Sequence, residues 1–376
     1  MRRTMGLVSI ITVFLLAGFA QVVFAGAAKT QYPVVFAHGS FGFDEVLGIS
    51  YFGDDYGTFV GDPCDCLFET KCNRYISRYQ KAFATKVWAF QSSEERGEWL
   101  FEQLEDIMAI TNAAHVNIIG HSQGGVDSRK AAKRLYEEYG YPVVDVLASI
   151  SSNHRGCRLG KSGMDLEVND PALSMLLDLI LEDFFGNAVL QMEGNDLEEM
   201  FKGVMYDDYD AGDGVVTGVK AFNGNYPVDS RYASLYVSFL TAQNGIARNP
   251  LLNPFIAITG DIDGDGYCVG DCDGDGEAGC GDGDPYDRDD DGLVGLNTQQ
   301  MGWRMKYCNI PFFFDRSMID SGMGYVSDID NPTSQQMTSL NSVMDADHFD
   351  PIFLGPDLFD EMEFYASVID FIADNE

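Results

Sequence analysis

The chain reads as an α/β protein, a mostly parallel sheet with helices on both faces, carrying a lid-like helical region and an acidic insertion. Three observations predict this. An apolar run, His115-Val-Asn-Ile-Ile-Gly120, passes straight into His121-Ser122-Gln123-Gly124, and a helix-compatible run from Val126 to Tyr139 follows. Short apolar stretches alternate with helical-period stretches, which is the signature of a parallel sheet covered on both faces. With 376 residues, 45% of them hydrophobic, the chain can bury one large core.

Taken in order, Val34–Ala37 is a buried-strand run ending at His38-Gly39. Lys86–Phe90 reads as the next strand. From Arg96 to Ile110, Leu100, Leu104, Ile107 and Met108 recur at helical spacing. The strand before Ser122 and its helix come next, then a strand over Val143–Ser151 and another over Tyr232–Leu240. Between these last two the alternation stops. Within residues 160–225, Asp170-Pro171 opens a helix-like run through Leu173–Leu181 to Met192. This region reads as a lid whose apolar face covers the site. Functional side chains belong in loops at the carboxyl ends of the parallel strands.

Ser122 lies in Gly-x-Ser-x-Gly between a strand and a helix, the context of a nucleophile elbow. A serine hydroxyl needs a base to take its proton and an acid to orient that base. The chain has five histidines, at 38, 115, 121, 154 and 348. Only His348 follows Ser122 far enough to leave room for an intervening acid; His38 and His121 read as structural. The acid has two candidates in similar wording, Asp213-Gly-Val-Val and Asp291-Gly-Leu-Val. Chain order favours Asp291, with Asp289 and Asp290 immediately beside it.

The N-terminus combines Arg2 and Arg3, an apolar run from Met5 to Phe24, and Ala25 before Gly26. That pattern predicts a signal peptide over residues 1–25 and an exported mature chain from 26 to 376, with no later segment apolar enough to span a bilayer. In an exported protein, eight cysteines favour disulfides, whose connectivity cannot be read from spacing. A net charge of −35 argues against nucleic acid and against docking on anionic lipid.

The charge is concentrated: thirteen acidic residues lie between Asp261 and Asp291. The segment 260–290 repeats Asp-x-Asp-x-Asp-Gly, as Asp261, Asp263 and Asp265, then Asp271, Asp273 and Asp275. In the second copy Asp282 falls at loop position 12, where a calcium loop places its last carboxylate. The insertion therefore predicts bound Ca2+.

The motifs together resemble the secreted bacterial true lipases, the triacylglycerol lipases of the Pseudomonas and Burkholderia type. The resemblance is carried by Tyr32-Pro-Val-Val-Phe-Ala-His38-Gly39 with Phe41-Gly-Phe-Asp44, Ser93-Glu-Glu-Arg96-Gly97-Glu98, Val116 through Gly125, Ala221-Phe-Asn with Tyr226-Pro227, Asp291-Gly-Leu-Val and His348-Phe-Asp350. It implies an α/β-hydrolase fold and a lipid or ester substrate at a lipid–water interface. The implied roles are Ser122 as nucleophile, His348 as base and then acid, and Asp291 as its orienting carboxylate. The backbone N–H groups of Ser40 and Gln123 would form the oxyanion hole, and Arg96 would brace its loop.

The resemblance further implies one calcium site near the catalytic histidine, from Asp350 and the Leu354 and Leu358 carbonyls. Asn253 stands where the family has its other aspartate. A periplasmic, membrane-bound folding chaperone is the implied partner. Three departures stand out: Ser40 replaces an apolar residue, the family's cysteine after the catalytic acid is absent from Leu296–Gln300, and the acidic insertion and the Ile310–Asn341 stretch are additions. Two other readings stand beside the lipase: a carboxylesterase or a polyester or phospholipid hydrolase on the same triad, and a calcium-dependent surface-binding protein. The last requires a missing triad member, and none is missing.

Overall fold

Strands β1 (Val34–Ala37), β2 (Ala82–Ala84), β3 (Val116–His121), β4 (Val144–Ile150), β5 (Ala233–Phe239), β7 (Gly302–Ile310) and β8 (Asp315–Val326) form a seven-stranded sheet in the computed structural model. The order is β2-β1-β3-β4-β5-β7-β8; all neighbours are parallel except β7 and β8, which pair antiparallel. A second, two-stranded sheet joins β6 (Thr241–Ala242) to β9 (Met344–Asp345). The structure describes residues 27–40, 42, 51–52, 75–77, 79–169, 195–206, 218–243, 249–253, 290–310, 315–333, 335–336, 339, 341–352 and 359–376.

Alternate residues of the central strands go to opposite faces. Phe36, Ile119, Val146, Ala148 and Val237 pack on one side against Phe364, Tyr365, Val368 and Ile369 of helix α6 (Glu361–Asn375). Val35, Ile118, Val144, Leu147 and Tyr236 pack on the other, with Leu100 and Leu104 of helix α1 (Ser93–Thr111) and Ala131, Ala132 and Leu135 of helix α2 (Gln123–Tyr139). Helix α1 begins where the Ser92 side chain caps the Glu95 amide, with Glu94 and Glu95 in the first turn. It ends at Asn112 in the left-handed region, φ 52°. The expected helix over 96–110 is thus three residues longer at its start.

The expected strand over Lys86–Phe90 does not form. The strand beside β1 is Ala82–Ala84, in register Val34↔Ala82 and Phe36↔Ala84. After Thr85 donates its amide to Phe36 O at 3.0 Å, the chain leaves the sheet. Val87 then donates to His38 Nε2 at 3.1 Å and Phe90 to Asn195 Oδ1 at 3.1 Å. The apolar side chains are needed for packing, but the backbone donors go to side chains instead of a ladder.

Within 160–225 the described helices are α3 (Arg158–Asn169), α4 (Leu197–Val204) and α5 (Val219–Asn225). Met164, Met200, Phe201, Val204 and Met205 form a third cluster with Phe90 and Val294. The Leu173–Leu181 run, Asp213, the signal-peptide segment, the 260–289 insertion, Leu354, Leu358 and the cysteines at 64, 66, 72, 268, 272 and 280 lie outside the described residues. Among the described residues, Cys157 turns its thiol to Leu293 O at 3.2 Å, and Cys308 carries a free thiol. No helix among these residues is long and apolar enough to cross a membrane.

Candidate active site

Ser122 follows β3 directly and precedes α2, with φ 55° and ψ −134°. This is a left-handed φ that a serine adopts at a cost of about 1–3 kcal/mol, held by its surroundings. Its amide still donates to Ile150 O of β4 at 2.9 Å, so the sheet anchors the turn. The tight path requires glycines on both sides. A Cβ at Gly120 would meet Gly125 N at 2.6 Å, and one at Gly124 would meet Ala37 O of β1 at 2.2 Å.

The turn points Ser122 Oγ at His348, whose Nε2 is 3.0 Å away; His348 Nδ1 is 2.8 Å from Asp291 Oδ2. Because a carboxylate only accepts, Nδ1 carries the proton and Nε2 is left to accept from the serine hydroxyl. Asp291 is fully buried and Ser122 is 7% exposed. The second carboxylate oxygen, Oδ1, accepts the Leu293 and Val294 amides at 3.1 and 2.8 Å, and Thr241 Oγ1 donates to Oδ2 at 2.9 Å. The His348 amide donates to Asp291 O at 2.8 Å, joining the two residues through their backbones as well. The neighbouring Asp290 faces elsewhere: its carboxylate takes the Gly292 amide, and its carbonyl takes that of Gln243.

The loop after β1 lies over the serine. Its Gly39–Gly42 turn closes through Gly42 N to Gly39 O at 3.2 Å, and Ser40 Oγ donates to Gln123 Oε1. Gln123 in turn donates Nε2 to Gln91 O at 3.0 Å and to Ser93 Oγ at 3.1 Å. As the first residue of α2, Gln123 has a backbone N–H without an intrahelical acceptor. Arg96, wholly buried, donates Nη2 to His38 O at 2.7 Å, Nη1 to Trp88 O and Nε to Asp127 Oδ2 at 2.8 Å. Burial pushes the Asp127 carboxyl up to about 6 against the pull of Arg96.

The structure therefore brings Ser122, Asp291, His348, Ser40, Gln123 and Arg96 to one place, the carboxyl ends of β1 and β3. The other histidines stand apart from the proton path. His38 accepts from Val87 and donates Nδ1 to Gly39 O at 2.8 Å; His115, at the start of β3, pairs with Asp145 at 3.2 Å. His154 is buried with Nε2 3.0 Å from Ser149 Oγ, and burial and the nearby Arg129 hold it well below the usual histidine range. Sequence reasoning missed Thr241 and Gln299, which line the Asp291 carboxylate; Gln299 Oε1 takes the Thr241 amide at 2.8 Å. No motif marks them, because neutral hydrogen-bonding residues of this kind are common throughout the chain.

The calcium site implied near His348 is represented here by Asp350 and Asn253. Asp350 is buried and its Oδ2 accepts the Asp347 amide at 2.8 Å, whereas Asn253 is exposed at the end of the Pro250–Leu252 turn. Among the described residues no three His, Cys, Asp or Glu side chains are grouped to hold a metal ion. The other two donors implied for this site, the Leu354 and Leu358 carbonyls, lie outside the described residues.

No family model matches the chain. A triacylglycerol lipase of Vibrio cholerae serotype O1 is 34% identical over 131 residues, 35% of each chain. One from Burkholderia plantarii is 29% identical over 177 residues, 46% of this chain and 44% of that one. The chain is similar to bacterial triacylglycerol lipases. It spans about a third to a half of the length of the curated relatives it matches. The crystal structure of Staphylococcus hyicus lipase covers 93% of this chain and 97% of its own at a TM-score of 0.47 and 17% identity. The parallel sheet, the elbow between β3 and α2 and helices on both faces are those of the α/β-hydrolase fold.

Proposed function

We propose that this chain is a serine ester hydrolase acting on triacylglycerols. The observation that carries the reading is the Ser122 Oγ–His348 Nε2–Asp291 Oδ2 array, at 3.0 and 2.8 Å, on a strained elbow. In this reading Ser122 Oγ attacks the ester carbonyl while His348 Nε2 takes its proton. The imidazolium that forms is held and compensated by Asp291. The carbonyl oxygen, now negative, is met by the backbone N–H groups of Ser40 and Gln123, each worth about 3 kcal/mol where such donors have been removed. His348 then protonates the departing alcohol, leaving an acyl-enzyme. A water deprotonated by His348 releases the fatty acid and restores Ser122.

Next to Asp291 and His348 in the chain, the partly buried Leu293 and Phe349 pack on the apolar cluster of α3 and α4 and offer apolar side chains to an acyl chain. The sequence relatives support the same substrate class. Ser122→Ala abolishes p-nitrophenyl ester hydrolysis, and a fluorophosphonate labels Ser122 of the parent; turnover retained by the variant overturns the mechanism. Activity on emulsified long-chain triglyceride, set against soluble short-chain ester, separates a lipase from a carboxylesterase.

Export after cleavage at Ala25 and calcium binding by the Asp261–Asp282 repeats belong to the same proposal and are supported by the sequence; folding with a dedicated periplasmic chaperone rests on the family resemblance alone. Chelation by EDTA lowers the melting temperature if calcium is structural; an unchanged temperature rules that part out.

A further inference from the structure

One string of hydrogen bonds runs from the loop above Ser122 to the backbone of His348, passing behind the serine. His121 Nε2 is 3.0 Å from His348 O, and His121 Nδ1 is 2.6 Å from the Tyr51 hydroxyl, which is 3.0 Å from Gly39 N. Chemistry forces every proton in this string. A carbonyl can only accept, so Nε2 of His121 carries the hydrogen; Nδ1 must then accept, so the Tyr51 hydroxyl donates to it and its oxygen receives the Gly39 amide.

His121 is fully buried, and burial together with the nearby His348 holds it well below the usual histidine range, so it keeps the neutral form the string requires. The rings are in contact, with centroids 4.8 Å apart for His121 and His348, and 5.7 Å for Tyr51 and His121. Gly39 is held where no side chain fits: a Cβ there would meet Ser122 Cβ at 2.4 Å and the Tyr51 hydroxyl at 2.8 Å. A buried histidine satisfied merely for stability could use any carbonyl and any donor. Here the two partners are the main chain of the base and the hydroxyl that holds the residue next to the oxyanion donor Ser40.

We propose that Tyr51 and His121 are positioning residues that hold the oxyanion loop and His348 in register around Ser122. The proposal rests on the hydrolase reading above. Both ends of the string meet charge that develops only in the tetrahedral state, so their alignment acts on kcat more than on KM.

The test uses Tyr51→Phe, which removes one oxygen, His121→Asn, whose amide is too short to span both partners, and the double variant. Active sites are counted with a fluorophosphonate before kinetics on p-nitrophenyl butyrate. Tyr51→Phe should lower kcat per titrated site about tenfold with KM held within about twofold, since small misplacements of reacting groups are costly. The inhibition constant of phenylboronic acid, which forms a tetrahedral adduct on the serine, should rise by the same factor. The double variant should lose no more than the worse single one. A Tyr51→Phe kcat within about twofold of the parent, or losses that multiply in the double variant, overturns the positioning proposal alone. A parent chain that fluorophosphonate does not label at Ser122 overturns the hydrolase reading with it.

Discussion

Ser122 and His348 face each other across 3.0 Å but are held in different ways. The serine side is built from regular elements: a strand buried on both faces, a helix, and glycines whose missing side chains let β1, β3 and α2 meet. The histidine side is built from short pieces. His348 lies between the two-residue strand β9 and the turn Asp350–Ile352, and Asp291 lies in a loop closed by the Asp290–Gly295 bridge. Each side also has a buried arginine. Arg96 braces the loop over the serine and has a carboxylate partner, Asp127. Arg304 gathers the segment leading toward His348 by donating to Ser342 Oγ and to the carbonyls of Gln336, Ser339 and Asn341. Burial pushes the Arg304 guanidinium down to about 10. Ladders and steric exclusion shape the first side, and side chains bound to distant main chain shape the second.

The largest effect that tests this contrast is at the acid. Asp291→Asn should lower kcat by roughly 10⁴-fold, as loss of the correct imidazole tautomer does in related triads, with little change in melting temperature. Steady-state kinetics and calorimetry on the same preparation check both halves. Next is Arg304→Met, which leaves the buried Gln336 carbonyl and the partly buried Ser339 and Asn341 carbonyls without this donor. It should destabilise the chain by about 3 kcal/mol in urea titrations, since each buried carbonyl left without a partner costs about 1–3 kcal/mol, and lower activity in parallel with unfolding.

Asp127→Asn sharpens the serine side through pH. The folded-state carboxyl titrates at about 6, above its unfolded value, so the folded chain binds the proton more tightly. Its contribution to stability is therefore present at low pH. It is lost as pH rises from about 4 to about 6, by an amount on the order of 3 kcal/mol. Urea midpoints across that window should show the extra slope in the parent and not in Asp127→Asn; identical slopes refute it. The smallest effect is Arg134→Gln, which breaks the partly exposed Glu98 pair at 2.9 Å and should cost no more than about 1 kcal/mol in the same titration.

These differences also divide what could be read in the chain from what could not. Motif and period located β1, β3, α1, α2, β4 and β5 within a few residues, because buried strands and amphipathic helices carry their pattern locally. The same reasoning put a strand at Lys86–Phe90, where the apolar pattern is real but the amides turn to His38 and Asn195. Hydrogen-bond direction leaves no trace in hydrophobicity. Chain order favoured Asp291 over Asp213 as the acid; the contact of Asp291 with His348 is a matter of two loops meeting.

His121 shows the boundary most clearly. Its place inside the elbow is evident from the residues alone, and there it reads as structural. Only the folded chain brings Tyr51 to one of its nitrogens and the His348 carbonyl to the other. By itself the sequence determined the central strands β1, β3, β4 and β5, the elbow and the identity of Ser122, since these depend on patterns a few residues long. The tertiary structure decided which carboxylate meets the base, which arginine holds which loop, and how Gly39 is joined to His348. Those contacts connect positions tens to hundreds of residues apart, and only packing determines which distant side chains can reach a given backbone group.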